Sequence, residues 1–143
     1  MSKIAVVYWS GTGNTEAMAN EVAEGAKAAG AEVDVLTASE FGADKMDAYD
    51  AVAFGCPAMG AEELEDSEFE PMFSDCEGKL GGKKIALFGS YGWGDGEWMR
   101  DWEARMQSAG AELVGGAGLM CHETPDAEGL EECKELGRQL ANA

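Results

Sequence analysis

The chain has 143 residues, with 28 acidic against 10 basic side chains and a formal net charge of −18. That length suits a single domain spanning residues 1–143 and buries about two thirds of the unfolded surface, enough for a core without disulfide or metal staples. A hydrophobic content of 45% is not that of a disordered acidic tail, and a pI near 4.1 sets the protein against nucleic acid and anionic membrane surfaces.

Lys3 to Trp9 is a continuous apolar, β-branched and aromatic run, which predicts a strand covered on both faces. Its apolar part, from Ile4, is far too short for a membrane span or a signal-peptide core, so a cytoplasmic protein is expected. A helix follows from Thr15 to Ala29, with Met18, Val22, Ala26 and Ala29 on one side and Gly30 to close it. Glu32 to Leu36 alternates and reads as a strand near the edge of a sheet. Asp50 to Gly55 and Lys84 to Gly89 are further strands. Glu112 to Met120 is the fifth, interrupted by glycines. Asp95 is the expected cap of a helix that runs to Ala109, with Trp98 and Trp102 on its core side. The last helix is signalled by Thr124 as cap, Pro125 at the first position and Leu130, Cys133, Leu136 and Leu140 on one face. Strands alternating with helices predict an α/β protein, a parallel sheet with helices on both faces.

Cys56, Cys76, Cys121 and Cys133 form no C-x-x-C pair and read as reduced, buried thiols. His122 is the only histidine, so no metal site is expected from these spacings.

In such sheets ligands lie beyond the carboxyl ends of the strands. After the first strand comes Ser10-Gly11-Thr12-Gly13-Asn14-Thr15 at a helix start, a nest of N–H groups and hydroxyls suited to a phosphate. No Lys or Arg occurs between Lys3 and Lys27, so neutral hydrogen bonds alone would hold the anion. The loop lacks the Gly-Lys-[Ser/Thr] end of a P-loop, and Glu16 replaces the third glycine of a dinucleotide fingerprint. After the third strand comes Cys56-Pro57-Ala58-Met59-Gly60-Ala61-Glu62-Glu63, where Met59 offers a polarizable contact and Gly60 a freely oriented peptide. After the fourth comes Ser90-Tyr91-Gly92-Trp93-Gly94-Asp95-Gly96, whose aromatic pair among glycines suits stacking on a planar ligand. Taken singly, each segment also reads as an ordinary turn. Together they describe a site for a planar, phosphorylated heterocycle.

The three loops, in this order, resemble the FMN loops of the flavodoxins, and the likeness runs through the whole chain, nearest to the short-chain group. The resemblance implies a three-layer sandwich around a five-stranded parallel sheet of order 2-1-3-4-5. It implies that Ser10, Thr12, Asn14 and Thr15, with backbone N–H groups of 11–13 and Ser90, bind the FMN phosphate. Met59 and Trp93 would flank the isoalloxazine ring, and the Gly60 carbonyl would accept from flavin N5–H after one-electron reduction. Glu62 would sit near N3, with the backbone of Tyr91, Gly92 and Gly94 at the pyrimidine end and Pro57 and Ala58 leading into the second loop. Pro57 stands where some relatives carry a phosphate-binding Ser, and Ala61 where some carry Asp.

The implied function is that of a low-potential carrier shuttling non-covalent FMN between semiquinone and hydroquinone, a monomer without substrate turnover of its own. Its partners would be basic-surfaced redox proteins, reductases and oxidoreductases, in place of ferredoxin. Glu62, Glu63, Glu65, Asp66, Glu68, Glu70, Asp75 and Glu77, with no base among them, are either a solvated face or a field that tunes the flavin and steers partners. An FMN-dependent reductase of a small substrate such as a quinone is the alternative. A phosphoacceptor domain would need acids where Ser10 and Cys56 stand, and phosphatase chemistry an Arg six places after a Cys, which none of the four cysteines has.

Overall fold

Alternate side chains of the first strand, β1 (Lys3–Tyr8), enter two different cores: Ile4 and Val6 one, Ala5 and Val7 the other, all fully buried. The continuous apolar run is therefore a central strand covered on both faces, as its composition predicts. The computed structural model describes residues 2–60, 62–92 and 94–143. The remaining elements are α1 (Asn14–Ala28), β2 (Glu32–Thr37), the single-turn α2 (Ala43–Met46), β3 (Ala51–Gly55), α3 (Phe69–Cys76), β4 (Lys84–Tyr91), α4 (Glu97–Ser108), β5 (Glu112–Leu113), β6 (Leu119–His122) and α5 (Ala127–Asn142). Among the described residues the strands form one parallel sheet of order β2-β1-β3-β4-β5, with β6 also paired to β4. The alternating strand β2 does lie at the edge.

One face of the sheet carries α1 and α5, around Met18, Val22, Cys133, Leu136 and Leu140. The other carries α2, α3 and α4, where Phe54, Phe69, Phe73 and Trp102 meet edge-on or stacked at centroid distances of 5.2–6.5 Å. Trp98 and Trp102 are core residues of α4, each 1% exposed. All four cysteines are free and buried. Among the described residues no helix is long and apolar enough to cross a membrane.

The structure departs from the expected elements at four places. The fifth strand is two short ones, because Gly115 and Gly116 take φ of 87° and 79° and turn the chain between them. Asp126, not Thr124, caps α5: its Oδ1 accepts the Gly129 amide at 2.7 Å, so Pro125 lies outside the helix. Gly96, at φ 91°, stands at the start of α4, and Asp95 is occupied by Arg100, which donates to its carbonyl and carboxylate. Helix α3 is absent from the sequence reading. Its face of Phe69, Met72, Phe73 and Cys76 has helical spacing, but it lies inside the acidic run, whose charges interrupt the apolar pattern.

Helices α1 and α5 approach backbone to backbone. A Cβ on Gly25 would stand 1.9 Å from the Lys134 carbonyl oxygen, and one on Gly137 would stand 2.0 Å from that of Val22. Neither obstacle is a flexible side-chain end, so the helices must separate to admit a methyl group. Gly137→Ala is therefore expected to lower unfolding free energy by about 1–3 kcal/mol in urea titrations. Gly78→Ala, where a Cβ meets open space, should change it by less than about 1 kcal/mol, in the stabilising direction. Equal effects would refute the close-approach argument.

Candidate functional site

The first loop leaves β1 and enters α1 through Gly13, whose φ of 94° is a left-handed conformation that a glycine takes without strain. Ser10 Oγ accepts the amides of Gly13 at 3.0 Å and Glu16 at 3.3 Å, and Thr12 Oγ1 accepts that of Asn14 at 3.4 Å. Among the described residues no protein acceptor takes the amides of Gly11, Thr12 or Thr15. They lie at the positive end of a helix of 15 residues. Thr15 is buried, and its hydroxyl lies 2.9 Å from that of Ser90, which ties the first loop to the end of β4. Trp9 covers the loop from one side: a Cβ on Gly11 would lie 3.1 Å from its ring, and its Nε1 donates to Glu68 at 3.0 Å.

The second loop follows β3. The Cys56 amide donates to the Phe88 carbonyl and the Ala58 amide to that of Ser90, so Pro57 and Ala58 run alongside β4. A tight turn then closes, with the Glu62 amide on the Met59 carbonyl at 2.8 Å and the Met59 amide on the Glu63 carbonyl at 3.0 Å. Gly60 stands exposed in this turn, where a Cβ would meet open space. Glu62 takes φ of 52°. Ala61 lies outside the described residues.

Behind the turn, Glu65 holds the loop down. Only 4% exposed, it accepts at its carboxylate from the Ser67 hydroxyl and from the amides of Ser67, Glu68 and Phe69 at 2.8–2.9 Å, the start of α3. Burial works to raise its carboxyl, but the Ser67 hydroxyl and the three amides outweigh it and hold the group down at about 2. Burial pushes the Cys56 thiol up to about 12, so it is no nucleophile.

The third loop follows β4. Tyr91 packs on Trp98 at 5.8 Å and on His122 at 5.0 Å, and His122 Nε2 lies 3.2 Å from the Gly92 carbonyl oxygen. Trp93 lies outside the described residues. Gly94, at φ 87°, lets the Glu62 side chain lie against its backbone: a Cβ there would stand 2.4 Å from Glu62 Oε1. That oxygen is buried without a hydrogen-bond partner among the described residues. An orphaned carboxylate oxygen is costly unless a ligand donor meets it. The first and third loops are thus joined at Thr15 and Ser90, the second and third at Glu62 and Gly94. The free amides, the orphaned acceptor and the side-chain-free glycines fit a phosphorylated planar ring that bears an N–H.

The flavodoxin family model matches residues 6–137. The flavodoxin of Megasphaera elsdenii is 52% identical over 140 residues, which cover 98% of this chain and 99% of that one. The flavodoxin of Clostridium beijerinckii is 47% identical, with 96% and 98% covered. The solution structure of two-electron reduced Megasphaera elsdenii flavodoxin superposes with a TM-score of 0.87 at 51% identity, with 98% and 99% covered. The chain belongs to the flavodoxin family. It is an FMN-binding electron carrier that works with oxidoreductases rather than an enzyme, and the reductase alternative is not favoured.

Three features of this flavodoxin escaped the sequence reading. Glu65, two to four residues before Ser67, Glu68 and Phe69, carries a legible cap signal that the surrounding acids masked. Arg105, on α4, carries no site signal of its own in the sequence. Its guanidinium donates to Glu70 and Glu77 at 2.7–3.2 Å and lies 4.9 Å over the Phe73 ring. The contact of His122 with Gly92 depends on strand register, for which the sequence carries no local signal. Because the Glu65 carboxyl is held below its unfolded value of about 4.3, its stabilisation is complete above that value and is lost as pH falls towards 2. Glu65→Gln should lower apoprotein stability at pH 7 by about 1–3 kcal/mol in urea. The gap to wild type should narrow at pH 3, and a gap of the same size at both pH values would refute this role.

Proposed function

We propose that the three loops hold FMN with the roles that the resemblance implies. Ser10, Thr12, Asn14 and Thr15, with the free amides of Gly11, Thr12 and Thr15 and with Ser90, take the phosphate around the turn that Gly13 makes. Met59 and Trp93 flank the ring, and Pro57 and Ala58 carry Met59 to it. Glu62 accepts from N3–H, and the backbone of Tyr91, Gly92 and Gly94 meets the pyrimidine end. The observation that carries this reading is the convergence of the loops at neighbouring strand ends around a buried Glu62 oxygen that has no hydrogen-bond partner among the described residues. The chemistry FMN supplies when bound is one-electron transfer at low potential, between semiquinone and hydroquinone.

The chain tunes that chemistry by binding redox states unequally, with about 1.4 kcal/mol corresponding to 59 mV for one electron. Gly60, exposed and without a Cβ, leaves its peptide free to turn its carbonyl towards a flavin N–H. Glu62, Glu63 and Asp66 place negative charge beside the second loop and disfavour an anionic reduced ring. The same charge favours basic-surfaced reductases and oxidoreductases as partners, including those that otherwise use ferredoxin. A single domain over residues 1–143, monomeric so that its flavin edge stays open, and a cytoplasmic location complete the reading.

Stepwise anaerobic reduction of the reconstituted protein, followed by visible absorbance, tests it. Wild type is expected to take up one FMN per chain and to pass through a stable blue neutral semiquinone. Gly60→Pro, which fixes φ near −65°, should lower the maximal semiquinone yield while still binding FMN. Reduction in one two-electron step, or an unchanged yield in the variant, would overturn the switching role of Gly60.

A further inference from the structure

Gly92 gives the third loop no side-chain anchor, and a Cβ there would meet nothing within 4 Å. The support comes from the end of β6, which runs parallel to β4 with His122 opposite Tyr91. Glu123, at φ 57°, is in a left-handed conformation uncommon for a residue with a side chain. This reversal puts its amide on the Tyr91 carbonyl at 2.7 Å. The His122 ring leans on the Tyr91 ring, and its Nε2 stands 3.2 Å from the Gly92 carbonyl oxygen. A carbonyl oxygen only accepts, so Nε2 carries the hydrogen.

We propose that His122 is a positioning residue for the cofactor, holding the 91–94 loop in its FMN-binding form through a hydrogen bond from Nε2–H to the Gly92 carbonyl. The proposal rests on the cofactor site proposed above. The neutral Nε2–H tautomer and the imidazolium both present this donor. Tyr91 faces the ring from β4 and Glu123 adjoins it. Across a cleft of about 300 Å³ stand Cys121 of β6 and Asp126, Glu128 and Glu132 of α5 and its cap, with no Lys or Arg lining the cleft. On the α4 side Arg100 is paired with Asp95.

The test compares wild type with His122→Ala and His122→Gln, whose side-chain amide can still donate. The FMN dissociation constant, from quenching of flavin fluorescence, should rise about three- to tenfold in His122→Ala, the worth of one hydrogen bond. In His122→Gln it should stay within about twofold of wild type, and the urea midpoint of that apoprotein should match wild type. Carbon-13 NMR of the apoprotein supplies a readout that a merely structural role would not move. The Gly92 carbonyl resonance should follow the titration of the only histidine in wild type and stay flat in His122→Gln. An unchanged FMN affinity in His122→Ala, or a Gly92 carbonyl blind to the titration, overturns the proposal. A wild-type chain that takes up no FMN overturns the cofactor reading instead, and the carbonyl titration still decides whether His122 holds Gly92.

Discussion

Two neighbouring strands send their chains to opposite faces of the sheet, and the site depends on that divergence. β1 leads into α1 on the face of Met18 and Val22, whereas β3 leads into α3 on the face of Phe69 and Phe73. No helix can cover both strand ends, so a crevice opens between them. β4, beside β3, delivers the third loop to the same crevice. The strand ends converge closely because two glycines permit it. A Cβ at Gly55 would lie 2.2 Å from the Phe88 ring, and one at Gly89 would lie 2.2 Å from the Cys56 carbonyl oxygen. That carbonyl also accepts Trp98 Nε1 at 3.1 Å, so the core of α4 grips the base of the second loop directly.

The acidic run from Glu62 to Glu77 contributes more to architecture than its composition suggests. Glu65 caps α3, Glu68 anchors Trp9 over the first loop, and Asp75 accepts the amide of Ala43 at 3.0 Å. Glu70 and Glu77 share Arg105, which holds α3 and the turn after it against α4. Hydrogen bonds from neutral amides and hydroxyls leave a carboxylate charged, so Glu65, Glu68 and Asp75 still contribute to the field. Among the described residues, only Glu70 and Glu77 of this run are paired with a cation. The choice between a solvated face and a tuning field is therefore too simple, since the same side chains build the loop and charge it.

The sheet was legible because its central strands are apolar on both faces, and the three loops stood out because glycines, hydroxyls, a methionine and aromatics cluster at the strand ends without packing partners in sequence. Helix α3 was not, because Phe69, Met72, Phe73 and Cys76 are diluted by acids that pair elsewhere in space. The caps at Asp126 and Gly96 were displaced from the expected Thr124 and Asp95 because Glu123 and Gly96 turn left-handed, a backbone choice that residue type only biases. Contacts between loops, Thr15 with Ser90 and His122 with Gly92, depend on the register of strands far apart in sequence. No local pattern encodes that register.

A protein with a formal net charge of −18 that binds a phosphorylated cofactor faces repulsion from its own field. Lysine or arginine in the first loop would relieve it, yet none occurs between Lys3 and Lys27. In the proposed site, oriented amides, a helix of 15 residues and hydroxyls would provide the attraction instead, through dipoles that act only at contact. A cation there would reach the ring as well as the phosphate, because Coulomb interaction falls only with the first power of distance while a dipole's falls faster. It would cancel part of the negative field that disfavours an anionic reduced ring. In the site proposed above, binding the phosphate with neutral groups would separate the two tasks: the first loop would retain the cofactor, and the acids beside the second would keep their leverage on its charge.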